Sequence, residues 1–310
     1  MTDAPPLPAE AAPVAKPEGV WPLLVLVGGA MVIGVGPILV RMSDAGPTAT
    51  GFWRIAFALP LLALLALRAD GRSAFVAPPR MALIAGAMFA LDIAFWHYGI
   101  QLTTVVNATV LSNLTPLVVI AAAWIVFGDR PRALFLAAVA VAIGGAATMA
   151  LAKGGSGQQS LLGDVISATT ALWYGFYFLA VTSARRHANT GKVMLWSSLV
   201  CAPLLLVGAL ALGETPTPLT TAGWLACAGL GLMHVTGQGA IAWALGRLPT
   251  ATTSVVVLVQ PVVAGLLGWV LFQEALTPLQ ALGGALALGG VAAAQVFGAR
   301  TTAKAQAAAS

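Results

Sequence analysis

Apolar stretches of about 20 residues, each the length of a bilayer crossing, follow one another along nearly the whole chain. A soluble domain can hide one such helix in its core, but not a long succession of them. Of the 310 residues, 59% are hydrophobic and only 8% are charged, whereas soluble domains carry roughly a quarter charged residues. Cutting at Pro, Gly and charged punctuation leaves ten runs, near 22–40, 48–67, 81–101, 104–127, 133–152, 161–182, 190–212, 220–245, 250–272 and 278–298. In hydrocarbon each run must satisfy its own backbone hydrogen bonds, which an open chain can do only as helix. The expected fold class is therefore an all-α integral membrane protein with ten transmembrane helices.

Residues 1–20 are rich in Pro, Ala and acids and lack the basic start and short apolar core of a cleavable signal, so they are expected to be a disordered cytoplasmic tail, with 299–310 a cytoplasmic tail at the other end. The net charge of +5 comes from scattered basic residues with no cluster longer than Arg185–Arg186, so topology explains it better than a nucleic-acid partner. With the N-terminus in the cytoplasm, twelve Lys and Arg fall in inner segments, only Arg41 and Lys153 fall in outer loops, and Arg54 lies within the second helix. This bias places both termini inside. Cys201 and Cys227 fall in apolar runs, which supports neither a disulfide framework nor a metal site. The inner loops offer only Asp70, Asp129 and His187 to acid–base chemistry, and no nucleotide-binding glycine loop is present. No catalytic residue, metal or cofactor is expected; a channel remains the alternative that shares a carrier's architecture.

The chain repeats itself. Pro116, Trp124, Phe127 and Asp129 recur 145 residues later as Pro261, Trp269, Phe272 and Glu274, and Gly144–Gly145 recur as Gly289–Gly290. Earlier in each half, Trp53 and Pro60 match Trp196 and Pro203 at an offset of 143, as expected if a connecting loop differs by two residues. The halves, 21–152 and 153–298, hold five runs each. Five is odd, so the second half enters the membrane from the opposite side, giving the inverted-topology repeat that many transporters use for alternating access.

Several passages resemble the ten-helix EamA-like transporters of the drug/metabolite transporter superfamily. Asn113-Leu114-Thr115-Pro116-Leu117 with Trp124 to Arg130 is similar to that family's fourth helix, and Gln260-Pro261 through Gln273-Glu274 to its ninth. Gly46-Pro47 with Phe52-Trp53-Arg54 is similar to its second, and Gly163-Asp164 with Trp173 and Arg185-Arg186 to its sixth. Within the superfamily the chain most resembles the aromatic amino acid exporters of the YddG type. The resemblance implies export of small organic solutes through a central cavity from a bacterial inner membrane, with the fifth and tenth helices peripheral. Amino acids with aromatic or large apolar side chains are the expected substrates and other metabolites or drugs the alternative. The bilayer and a small-molecule substrate are the expected partners, for a chain taken as a monomer.

Ionisable residues at bilayer depth point to function. Asp92, mid-way along the third run, and His234, mid-way along the eighth, stand on helices the repeat makes equivalent, and Gln238 extends the His234 face. Either they line a wet cavity, where Asp92 takes a substrate ammonium and His234 donates or titrates, or they satisfy one another structurally. Trp96, His97, Trp173 and Tyr177 serve either as ring walls for a solute or as interface anchors. Arg54 either attracts a substrate carboxylate or pairs with Asp164 or a loop carbonyl near the outer surface, and the pairing is the expected role. Pro116 and Pro261 interrupt their helices as hinges or as fixed kinks. The paired glycines are expected to let helices approach closely.

Overall fold

A computed structural model describes residues 20–127, 133–152, 160–248 and 250–308. Most of the expected N-terminal tail, together with Asp129, Arg130, Arg132 and Lys153, lies outside these residues. All regular structure among the described residues is helical: α1 (Trp21–Gly34), α2 (Gly36–Met42), α3 (Pro47–Asp70), α4 (Arg80–Leu102), α5 (Val105–Ser112), α6 (Thr115–Phe127), α7 (Ala133–Leu151), α8 (Leu161–Arg185), α9 (Thr190–Ala211), α10 (Thr221–Met233), α11 (Gly239–Ala244), α12 (Thr250–Val256), α13 (Val259–Phe272) and α14 (Pro278–Ala308). A short 3-10 turn follows α3, and a π-helical turn, His234–Gln238, joins α10 to α11. Because α14 reaches Ala308, much of the expected C-terminal tail is helical.

Among the described residues, six helical stretches are long and apolar enough to cross a membrane: Trp21–Met42, Pro47–Phe75, Arg80–Leu102, Leu161–Arg185, Thr190–Ala211 and Thr221–Ala244. Four further apolar helices are shorter, Val105–Val119, Ala133–Thr148, Val259–Phe272 and Pro278–Ala294. Local sequence explains the breaks. Pro22 and Pro37 stand in the first turns of α1 and α2, where a missing N–H costs nothing. Pro116 and Pro261 occupy the same kind of position, as the second residue of α6 and the third of α13. Each proline thus opens a new helical segment, and the interruption falls just before it, at Asn113–Leu114 and at Val257–Leu258. Pro60 and Pro203, which match in the repeat, lie inside α3 and α9.

The repeat is visible as geometry. Gly191, at the start of α9, abuts Ala66 near the end of α3, and Gly208, near the end of α9, abuts Thr48 at the start of α3, so the two helices run antiparallel. At one end of this pair the Trp53 Nε1–H donates to the Pro216 carbonyl at 2.8 Å; at the other the Trp196 Nε1–H donates to the Ala74 carbonyl at 2.9 Å. The two tryptophans are repeat mates, and each reaches into the other half. The same exchange relates α7 and α14, whose Gly145 packs on the backbone of Gly283 and Ala287 while Gly290 packs on that of Ala138 and Ala142. A Cβ at either glycine would meet backbone, so these two positions bring the helices together. A Cβ at Gly144 or Gly289 would meet only open space, so these two do not serve close packing.

The main apolar core gathers Leu26, Ile55, Leu62, Phe89, Ile93, Tyr177, Phe178, Met194 and Leu205 from α1, α3, α4, α8 and α9. Elsewhere apolar side chains face outward, among them Leu61, Leu64, Leu65, Leu204, Val207 and Leu210. That distribution suits a solvent of hydrocarbon.

Candidate functional site: a polar cavity within the bundle

Asp92 is in the middle of α4, and Phe89 and Trp96 flank it at helical spacing, so the three share one face. This face closes one side of a cavity whose opposite walls are Arg54 of α3, Tyr174 and Thr170 of α8, and Gln238 of the π turn. Ser112 and Asn113, at the break between α5 and α6, and Gln260, at the start of α13, complete the polar lining, with Ile33 of α1 beside them. Both halves of the chain contribute. About 30 Å³ is open to a water-sized sphere, which admits a few waters and no organic solute. The cavity is contracted in this state.

Charge is arranged unusually here. Arg54 is 3% exposed and Asp92 7% exposed, yet no salt bridge joins them, in contrast to Arg41 and Glu274, whose charged atoms meet at 2.7 Å. Arg54 Nε has no hydrogen-bond partner. Its guanidinium instead lies 5.5 Å from the Phe89 ring and 5.8 Å from the Trp96 ring, contacts that favour a cation over π faces. The amide nitrogens of Gln238 and Gln260 are also buried without partners. Tyr174 orients Gln238, its hydroxyl donating to Gln238 Oε1 at 3.4 Å. Three unsatisfied donors and one carboxylate therefore surround the cavity, and buried polar groups left in this condition are costly unless a ligand or water completes them.

Of the sequence-predicted site residues, Asp92, Trp96 and Gln238 line the cavity. His97 does not: its ring is fully buried, with Nδ1–H donating to the Pro47 carbonyl at 2.9 Å. His234 lies one layer behind, 5.3 Å from Phe89, with Nε2 3.2 Å from the Ser198 hydroxyl. Tyr177 is likewise behind the wall, stacked on Phe89 at 4.6 Å and on Tyr174 at 5.8 Å. The Trp173 ring faces Phe95. The expected pairing of Arg54 with Asp164 is overturned. Asp164 Oδ1 accepts from Thr103 and Asn107 at 2.7 and 3.0 Å, while Arg54, two turns into α3, points inward to the cavity. Sequence reasoning missed Phe89, Asn113 and Gln260 as lining. Asn113 and Gln260 each stand close before a repeated proline, and that placement at a helix break was the available signal.

One end of the bundle is closed above this cavity. Arg41 extends from α2, donating to the Ile100 carbonyl at 2.9 Å, to Glu274 Oε1 at 2.7 Å and to the Thr103 carbonyl. Glu274, 3% exposed, accepts in addition from the Val105 N–H at 2.9 Å. The clamp ties α2, the α4–α5 turn and the α13–α14 turn. At the same end, Glu214 accepts from the Tyr98 hydroxyl and the Ala49 N–H. Asp44 there receives the Leu219 and Thr220 N–H groups that open α10, and the Thr220 hydroxyl helps hold its carboxyl below the usual range.

With this geometry in view, the comparisons are consistent. The EamA-like transporter family matches the sequence twice, over residues 20–151 and 161–294. An "Uncharacterized transporter" of Archaeoglobus fulgidus is 24% identical over 267 residues, 86% of this chain and 93% of its own length. A solved structure described only as "Crystal structure of protein" shares the fold at a TM-score of 0.64 and 20% identity, over 90% of this chain and 98% of that one. Two tandem family matches over apolar helical halves identify a multi-pass membrane protein, and the chain belongs to the EamA-like transporter family.

Proposed function

We propose that this protein carries amino acids with aromatic or large apolar side chains out of the cell by alternating access through the Arg54–Asp92 cavity. One observation carries the reading: the buried Arg54 guanidinium and the buried Asp92 carboxyl group face the same space without a salt bridge between them, beside ring faces. A zwitterion offers each charge its complement. Its carboxylate would meet Arg54 and the Gln238 and Gln260 amides, its ammonium would meet Asp92, and its apolar body would lie on Trp96, Phe89 and Tyr174. A phosphate ester or nucleotide sugar fits poorly, since Arg54 is the sole basic residue in the lining. Other metabolites or drugs with an apolar body are the alternative cargo.

The carrier reading takes the chain as ten crossings of a bacterial inner membrane, in two inverted halves with both termini cytoplasmic. It is supported by the twelve-to-two distribution of basic residues and by the antiparallel exchange of repeat mates between α3 and α9. Reporter fusions at both tails should be cytoplasmic, and a fusion near Glu214 should be outside; tails on opposite sides would refute the ten-crossing topology.

Uptake and efflux of labelled amino acids in proteoliposomes test the cargo. Saturable counterflow is expected of a carrier, whereas flux without saturation or exchange indicates a channel. A stacked ring contributes about 0.5–1.5 kcal/mol. Trp96→Ala should therefore slow aromatic amino acid transport roughly 3- to 10-fold more than it slows that of small aliphatic ones. Trp173→Ala, outside the cavity, is the comparison. Exchange of phosphorylated metabolites without any amino acid transport would overturn the substrate reading.

A further inference from the structure

A second, larger recess, about 620 Å³, opens at the opposite end of the bundle from the Arg41–Glu274 clamp. Its walls come from α1, α3, the first turn of α9 and the π turn with α11. It shares no lining residue with the central cavity. Tyr177 stands between them, stacked on the cavity residues Phe89 and Tyr174 and donating its hydroxyl to Met194 Sδ of the recess at 3.8 Å. The rim carries Trp21 and Leu65, both apolar and exposed, so the recess opens sideways toward hydrocarbon.

Its two ends differ chemically. The inner wall is apolar, formed by Val25, Leu62 and Ala240. The other end holds Arg185 and Arg247, near enough to repel each other, and the first residues of α9, Thr190 and Gly191. Arg185 donates from Nε to the Ala242 carbonyl and from Nη1 to the Ala188 carbonyl, and its Nη2 lies against Gly246, so these contacts fix the guanidinium at this end of the recess. Arg247 lies 3.9 Å over the Trp243 ring, which holds its guanidinium at the rim. No carboxylate lines the recess. Two guanidiniums and the positive end of a 22-residue helix therefore converge beside an apolar slot that faces the bilayer.

We infer that this recess binds one anionic phospholipid, with the phosphate between Arg185, Arg247 and the α9 N-terminus and an acyl chain along Val25, Leu62 and Leu65. A zwitterionic lipid presents the same tail but adds a cation where the recess already holds two. The lipid would bridge α1, α3, α9 and α11, which belong to different halves.

Native mass spectrometry of the purified full chain, in micelles containing equal amounts of phosphatidylglycerol and phosphatidylcholine with identical tails, tests this. The expected result is preferential retention of one phosphatidylglycerol. Neutralising an arginine near a lipid headgroup costs about 1 kcal/mol, or about fivefold in retention, so Arg185→Gln and Arg247→Gln should each lower it by that factor. Arg185→Lys should keep most of it. Val25→Trp, which fills the tail slot without touching charge, should also abolish it and decides the matter if the arginine variants misfold. An Arg68→Gln/Arg72→Gln chain, neutralised outside the recess, should retain the lipid. Equal retention of both lipids, an equal loss in the Arg68/Arg72 chain, or an unaffected Val25→Trp chain would overturn the proposal. Displacement of the lipid by millimolar glycerol phosphate would overturn it in favour of a soluble anion.

Discussion

Replacing either Arg54 with Gln or Asp92 with Asn should reduce transport by about 100-fold, the loss expected when a charge-assisted contact worth roughly 1.5–3 kcal/mol disappears and its buried counterpart is left uncompensated. Both side chains are almost completely buried, and they face one cavity without bonding to each other. Each single change therefore leaves one net charge in a space that has only rings, amides and hydroxyls to receive it. The double variant restores neutrality. It should be no slower than the worse single variant and better folded than either, a non-additivity that independent sites do not show. Initial rates of counterflow and melting temperatures of the three chains measure both effects. Near wild-type transport by the two singles would remove the cavity from the mechanism.

The second large effect belongs to the clamp. Glu274→Gln keeps the shape but removes the charge that Arg41 contacts at 2.7 Å. Breaking a buried pair from one side costs about 3–5 kcal/mol, and all of it falls on the state in which this end is closed. If opening dissolves the clamp, the open population rises by two orders of magnitude or more. A thiol introduced by Ser112→Cys, on the cavity wall, with Cys201 and Cys227 replaced, reports it. Labelling by a membrane-impermeant reagent from the clamp side should accelerate at least tenfold in the Glu274→Gln chain. An unchanged rate would make the clamp a fixed strut.

The repeat was legible because it rests on residues whose role is positional: prolines that start segments and tryptophans that reach across to the other half. The face of α4 was legible as well, since Asp92 and Trp96 are one turn apart. On α8 the same rule selected Trp173 and Tyr177, but Thr170 and Tyr174 line the cavity. Helical spacing shows which residues share a face, while neighbouring helices decide where that face points. Arg54 was misplaced for a related reason: depth along a helix does not reveal whether a long side chain reaches outward to a loop or inward to a cavity. The clamp was not foreseen because Arg41 reads as a loop cation until α2 carries it beneath the α13–α14 turn.

The two-residue difference between the offsets of 143 and 145 looked like a matter of loop length. However, α4 has 23 residues and its repeat mate, Thr221–Ala244, has 24, the latter containing the π turn. A π turn holds one residue more than an α turn, so part of the insertion is inside the membrane helix. Successive residues of an α-helix are about 100° apart around its axis. Forcing all five residues His234–Gln238 into regular α geometry would swing everything on one side by that angle and carry the Gln238 amide off the cavity wall, whereas the π turn takes up the extra residue within a single wider circuit and leaves the flanking segments facing as they would without it. The wide turn therefore works as a spacer that conserves phase: it lets α10 and α11 keep their packing toward α3 and α1 although the helix carries one residue more, and it leaves the Gln238 amide on the cavity wall across from Asp92.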